Sequence, residues 1–358
     1  MPRLGFIGYF LGLLPGVLAI AGNLKGGPWA LATTAMIVSL CVADWFVRDE
    51  PAPPPEAPRW TPDLVLALHV VVNTLAVATL LYGVAHGTLG RFRSLDAALS
   101  TGLNAGLSGI VVAHELIHRR GRGWRAAGLW NLLLVNYSHF YIEHVQGHHK
   151  LVGTRRDPST ARPGENIYVY IVRSLPQQFV SALRIEAGRL ARAGRWRFGP
   201  GNFVVVATLI QVAIAVLIGV VLGQRALGVY LRQGATGVVL LQVVNYLQHY
   251  GLERAAGSRI EPAHSWQTDR ISSRFLLLEL PRHADHHCHS TRPYHQLLSH
   301  EESPTLPLGL LGTAPLLLIP PLWSRVARGI LERGRLPAAG PSQRRSPSRD
   351  LASGVFAP

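Results

Sequence analysis

Between Asn202 and Gly223 the chain runs NFVVVATLIQVAIAVLIGVVLG, without one charged side chain. A helix rises about 1.5 Å per residue, so this stretch reaches about 33 Å, the thickness of a bilayer's hydrocarbon layer. Similar runs recur at Leu4–Gly22, Trp29–Val47, Leu64–His86, Leu95–His118 and Ala226–Tyr250. In hydrocarbon every backbone amide must find its partner inside the protein, and a single segment does so as a helix. The expected fold is therefore an all-α integral membrane protein with six transmembrane helices. Leu4–Gly22 also has the outline of a cleavable signal peptide, with Arg3 ahead of an apolar stretch ending in LAIAG. The second apolar run that follows almost at once favours a span instead.

Charge is concentrated between the spans. Charged residues make up 15% of the chain, against about 25% in soluble domains, and the formal net charge is +15. The arginines lie between and after apolar runs and are not interleaved with aromatics on one face, so no nucleic-acid partner is expected. Segments 119–201 and 251–358 carry 14 and 13 of the 35 Lys and Arg residues. Six spans put both segments on the side of the N-terminus. Positive-inside bias makes that side cytoplasmic, in a bacterial-type inner (cell) membrane. Arg91 and Arg93, in an outer loop, run against the bias. The linker DEPAPPPEAPRW is proline-rich and extended, and 336–358 has the composition of a disordered tail. Residues 1–335 are thus expected to form one membrane-embedded domain, with a helical cap on the cytoplasmic side.

The chain has two cysteines, Cys41 and Cys288, too far apart in sequence for a CxxC zinc site or a cysteine-ligated cluster. Any electron carrier the chemistry needs is on another polypeptide. Histidine, by contrast, is abundant: 16 residues, most of them in four clusters. HELIH supplies His114 and His118, four apart and so on one helix face. EHVQGHH supplies His144, His148 and His149, and NYLQHYGL supplies His249. RHADHHCH supplies His283, His286 and His287, with His289 beside them. All four clusters fall at, or just past, one membrane face.

Taken singly, each cluster has a plain explanation. HELIH matches the zinc-protease pattern HExxH, in which the Glu is the general base. His249 alone reads as a hydrogen-bonded helix-end residue. His69 and His86 fit no cluster and read as structural or pore-facing; His139, His264, His295 and His300 read as structural or as partners of the ligating rings. Together, however, the nine clustered imidazoles exceed what one zinc accepts. They suit two metal ions of four or five ligands each, and positions left open for oxygen point to iron.

These motifs, in this order and with six spans, resemble the integral-membrane alkane monooxygenases, relatives of the membrane fatty acid desaturases and xylene monooxygenases. The likeness covers roughly residues 60–310. It includes RRDPSTARPGENIY after the second cluster and HSW at 264–266, and NYLQHYGL and HSW set it apart from plain desaturases. The resemblance implies that His114, His118, His144, His148, His149, His249, His283, His286 and His287 hold two non-haem irons. It implies O2 as co-substrate, a hydrophobic alkyl substrate drawn from membrane lipid, and 1-alkanol as product. It implies rubredoxin, with its reductase, as electron source. Gln248 stands where the family has Glu, and an amide orients or charge-balances a site less well than a carboxylate. Glu115, Glu143 and Asp285 adjoin these histidines and are expected to accept from their far ring nitrogens; solvated helix-end carboxylates are the plainer alternative. Cys288 is not expected to be redox-active beside an oxidising metal.

Three rivals remain. A related hydroxylase or desaturase would act on fatty acyl, terpenoid or aromatic-methyl substrates. A zinc protease would hold one zinc and work without O2. A non-enzymatic metal carrier would want charged residues inside the spans, where few occur.

Overall fold

The computed structural model describes residues 5–335, so the tail 336–358 lies outside the described residues. Among the described residues there is no β-strand, only three isolated bridges. Four helices long and apolar enough to span come first: α1 Phe6–Lys25, α2 Gly27–Asp44, α3 Thr61–Ala85 and α4 Arg91–Ile117. Three cap helices follow: α5 Arg122–Leu134, α6 over 140–151, and α7 Ile167–Arg192. Two more spans, α8 Phe203–Leu222 and α9 Gln224–His249, complete the six. The chain ends in α10 Ile271–Leu276, α11 His283–Cys288, the short apolar α12 Gly309–Leu318 and the amphipathic α13 Pro320–Arg335. The spans begin and end within about a turn of the places where the apolar runs do, because charge and glycine set both limits.

Local chemistry explains several boundaries. The Asn202 side chain accepts from the amides of Val204 and Val205 and starts α8. Asn166 starts α7 in the same way, accepting from Val169. Gly223, at φ 87°, turns the chain directly from α8 into α9. Helix α8 is apolar on every side and sits at the rim: Leu217, Val220 and Val221 are all more than half exposed, as lipid-facing residues must be.

Small residues set the contact between α4 and α9, whose ends carry His114, His118 and His249. A Cβ on Gly102 of α4 would lie 2.5 Å from Thr236 of α9, and one on Gly106 would lie 2.8 Å from Leu240. The two backbones therefore approach closely, a packing mode suited to hydrocarbon, where apolar side chains alone drive little association. Buried polar groups then fix the rotation of α4. Asn104 donates to Asn73 at 3.1 Å, Asn73 to Asn131 at 3.2 Å, and Asn131 to the Gly109 carbonyl at 3.2 Å. His69 meets Ser108 at 2.6 Å, which gives this intramembrane histidine its structural role.

The stretch entering α11 is strained and strapped. Leu278 and Glu279 both adopt positive φ, 49° and 56°, which costs non-glycine residues of order 1–3 kcal/mol each. The fully buried Glu279 carboxylate holds the turn. It accepts from Tyr9 at 2.6 Å and from Arg274 at 2.8 and 3.0 Å, and Arg282 lies 3.4 Å away. Arg282 in turn donates to Asp269 at 2.9 Å. Glu279→Ala is expected to leave two arginines short of a counter-charge and to destabilise the protein by about 3–5 kcal/mol. Thermal unfolding of the purified protein in detergent checks this; an unchanged midpoint would mean the cluster does not hold the turn.

Candidate metal centre

The ends of α4 and α9 and the short helices α6 and α11 bring the nine clustered histidines into two groups. His114, His118, His144, His149 and His286 form one, and His148, His249, His283 and His287 the other. Within each group the donor atoms lie within 4.8 Å of one another. In the first group His144 and His149 face each other through Nε2 at 3.0 Å, and His149 and His286 at 3.1 Å. In the second, His283 lies 3.2 Å from His249 and 3.0 Å from His287, again Nε2 to Nε2.

These spacings test whether a metal fits. Two nitrogens bound at about 2.1 Å to one ion, at about a right angle, are about 3.0 Å apart. Two neutral imidazoles crowded Nε2 to Nε2 otherwise gain only one shared proton. The Nε2 atoms of His114, His118 and His148 are buried with no hydrogen-bond partner among the described residues. A buried, unpaired donor atom is costly unless something occupies it. Burial, and next the crowding of neighbouring imidazoles, hold His144, His149, His283, His286 and His287 well below the usual histidine range. Burial brings His118 down to about 4. These six rings are thus neutral, the form that binds metal. The residues fit two ions.

Helical geometry sorts the residues. His114 and His118, four apart on α4, share a group, and so do His283 and His287 on α11. His286 faces the other way. In α6 the backbone over Glu143–His148 is π-helical, a turn that brings residues i and i+5 onto one face. His144 and His149 accordingly share a group, while His148 turns to the other. A second π-turn, Ala105–Ile110, interrupts α4 one turn ahead of HELIH.

The neighbouring carboxylates fall differently from the expectation. Glu115 accepts from Arg119 at 3.2 Å. Asp285 accepts from Arg292, His289, His300 and the Leu298 amide, and so fastens segment 289–300 to α11. Neither oxygen of Glu143 has a hydrogen-bond partner among the described residues, and burial, then the Asp157 charge, push its carboxyl well above the usual range. Among the described residues none of the three is hydrogen-bonded to a clustered histidine. That contact is made by Asp157, a residue the motif reading passed over. Its Oδ2 lies 2.8 Å from His148 Nδ1 and accepts from Thr160 at 2.6 Å, and its Oδ1 accepts from the Ser159 amide at 3.0 Å. Burial works to raise this carboxyl, yet His148 and these hydrogen bonds hold it below the usual range. The signal was present as DPST, an aspartate able to bond its own backbone two residues on.

A narrow chamber of about 20 Å³ touches both groups through His114, His144 and His283. Its other walls are Ile110, Val111, Phe140, Leu241, Val244 and Leu280, with Asn245 and Gln248 on one side. Gln248 donates to the Leu280 carbonyl at 3.3 Å, so the amide braces the wall opposite α9. Such a space admits about one small group. Of the unclustered histidines, His86 stacks on Tyr82, His264 caps a turn with Glu261, His139 packs between Tyr137 and Phe179, and His295 packs beside Tyr294. The Cys288 thiol is pushed up by burial and next by Asp285, which keeps it protonated.

Comparison with known proteins follows the same lines. A family model described as fatty acid desaturase matches residues 94–309. An alkane 1-monooxygenase from Pseudomonas aeruginosa is 36% identical over 313 residues, covering 83% of this chain and 82% of that one. Another from Alcanivorax borkumensis is 29% identical over 346 residues, covering 91% and 90%. The hydroxylase component of a xylene/toluene monooxygenase from Pseudomonas putida is 30% identical over 323 residues, covering 87% and 85%.

Proposed function

The chain belongs to the fatty acid desaturase family, with alkane 1-monooxygenases among its relatives, and from that premise we propose that it hydroxylates the terminal carbon of medium- and long-chain alkanes. It is a multi-pass membrane oxidoreductase of the monooxygenase type, with a histidine-rich metal-binding centre. In this reading the nine histidines hold two irons. O2 is the co-substrate, rubredoxin with its reductase supplies the electrons, and the centre lies on the cytoplasmic side of the inner membrane within a single domain over 1–335. The observation that carries the reading is the meeting of two buried imidazole groups with one narrow apolar chamber.

The overall change is RH + O2 + 2e⁻ + 2H⁺ → ROH + H2O. Bound iron supplies the activation of O2 that breaks a C–H bond. The rest falls to the chain. Val111, Phe140, Leu241 and Val244 exclude water and receive an alkyl end. Each buried CH₂ contributes about 0.8 kcal/mol, which holds a chain without marking any carbon. Selection of the terminal carbon therefore rests on the chamber's depth: only a leading methyl reaches His114, His144 and His283. Asp157 keeps the proton of His148 on Nδ1, which leaves Nε2 free to donate to metal.

A second reading is supported by the xylene/toluene relative: oxidation of an aromatic methyl group in the same chamber. Gln248 beside the chamber bears on which substrate enters. Two measurements test the proposal. Protein purified from iron-replete cells is expected to carry two irons per chain, whereas a HELIH-type protease would carry one zinc. Cells that co-express the chain with rubredoxin and its reductase, fed alkanes of several lengths, are expected to release 1-alkanols only in the presence of O2. Oxidised xylene with no alkanol would move the assignment to the second reading.

A further inference from the structure

Helix α9 runs from Gln224 to His249, so its first turns lie at the membrane face opposite the histidine centre. The ends of the described spans at that face carry Lys25, Arg91, Arg93, Arg225 and Arg232 against one carboxylate, Asp96. Asp96 pairs with Arg93 at 3.1 Å, and Lys25 lies over the Trp29 ring at 4.4 Å. Arg225 donates to the Val84 carbonyl at 2.8 Å, near the end of α3. Arg91 and Arg232 are exposed, and neither side chain makes an ion pair or hydrogen bond among the described residues.

Arg232 is the residue that demands an explanation. It stands inside the α9 span, about 12 Å along the helix from Gln224. Gly228, Ala235 and Val239 are exposed on the same face, and they are what a lipid-facing stripe contains. An unpaired charge facing hydrocarbon is costly until it reaches the interface or a partner. Helical side chains lean toward the N-terminus of their helix, which here is toward the membrane face and toward Arg225 on the same stripe. Between the two arginines, a Cβ on Gly228 would meet no atom within 4 Å, so the notch that separates them is open. Guanidinium groups bind phosphate oxygens through paired N–H donors. With Asp96 already paired and Arg91 at the same face, the charge there favours a headgroup without an ammonium of its own.

We infer that Arg225 and Arg232 form a clamp for an anionic phospholipid in the leaflet remote from the histidine centre. The two guanidinium groups bracket its phosphodiester over Gly228, and an acyl chain lies along Ala235 and Val239. The clamp adjoins the contact that supports the centre. The Arg232 carbonyl accepts from Thr236 Oγ1 at 2.9 Å, and Thr236 is the residue that meets Gly102 where α4 and α9 come together. A lipid seated there braces the two helices whose other ends carry His114, His118 and His249. The site does not depend on which reaction the centre performs.

The test uses the full chain purified in dodecyl maltoside, with thermal unfolding and native mass spectrometry followed as lipid is added. Phosphatidylglycerol is expected to raise the unfolding midpoint by several degrees and to stay bound, and phosphatidylcholine to do neither. R225Q/R232L is expected to weaken phosphatidylglycerol binding by about tenfold or more. Hydrocarbon accepts leucine more readily than arginine, so the span survives the change. R232L alone is expected to lose most of the effect, which keeps the test open if the double variant does not fold. R195Q/R197Q removes the same charge from the exposed loop between α7 and α8 and is expected to bind lipid as the wild type does. Equal stabilisation by the two lipids overturns the proposal, since the arginines would then only reach for headgroups of any kind. So does wild-type binding in R232L and R225Q/R232L, equal weakening in R195Q/R197Q, or an effect of inorganic phosphate as large as that of the lipid.

Discussion

His283→Ala is expected to lower the metal content to about one ion per chain and to remove alkanol formation, a loss of more than about a thousandfold. His283 is central to the smaller group, with its Nε2 3.2 Å from that of His249 and 3.0 Å from that of His287. Its removal leaves three imidazoles where four stood. The larger group offers a contrast. His286→Ala leaves four of five, and that group is expected to keep its ion while the reaction still slows steeply. Elemental analysis together with single-turnover product yield separates the two outcomes. A fall of several kcal/mol in transition-state stabilisation corresponds to the thousandfold loss. Equal metal retention in both variants would mean that the nine rings do not divide five and four. Retained activity in His283→Ala would count against any role for the second group, and with it against a two-metal centre.

The division of the histidines also marks the boundary of what could be read from the chain. The spans were legible because hydrocarbon forces one solution on an uncharged run, and Phe203–Leu222 has no other. The convergence of four histidine clusters was legible because two lie at the ends of the fourth and sixth spans and the other two in the segments that follow those spans on the same side. The assignment of each ring to a group was legible where the helix is regular: His114 with His118, and His283 with His287, follow the spacing of four. In EHVQGHH the same rule fails. The spacing of four would pair His144 with His148, but the π-turn pairs His144 with His149. A π-turn leaves no compositional signal. The carboxylates were misplaced for a related reason. Adjacency in sequence suggested Glu115, Glu143 and Asp285, yet among the described residues none of them is hydrogen-bonded to a clustered histidine: Glu115 and Asp285 bond other partners, and Glu143 bonds none. Asp157 reaches His148 across a turn nine residues later, a contact only the fold creates. Glu279, Arg274 and Tyr9 were silent for the same reason, since Tyr9 and Glu279 are 270 positions apart.

Asp157 carries the last prediction because it joins the fold to the chemistry. Asp157→Ala is expected to weaken metal binding or slow turnover by about ten- to a hundredfold, the range typical when the partner of a ligating histidine is lost. The physical cause is specific. His148 Nδ1 is buried, and without an acceptor it must either remain unpaired or move the proton to Nε2, the atom needed for metal. Asp157→Asn distinguishes orientation from charge. The amide retains one oxygen, which can accept from His148 and Thr160 as Oδ2 does and keep the ring aimed, while its NH2 group takes the place of Oδ1 and gives up the bond from the Ser159 amide. What it loses is the negative charge that holds the imidazole basic. If orientation dominates, Asn recovers most of the metal affinity measured by chelator competition while Ala does not. If charge dominates, both variants fall together. Wild-type affinity in Asp157→Ala would show that packing alone fixes His148.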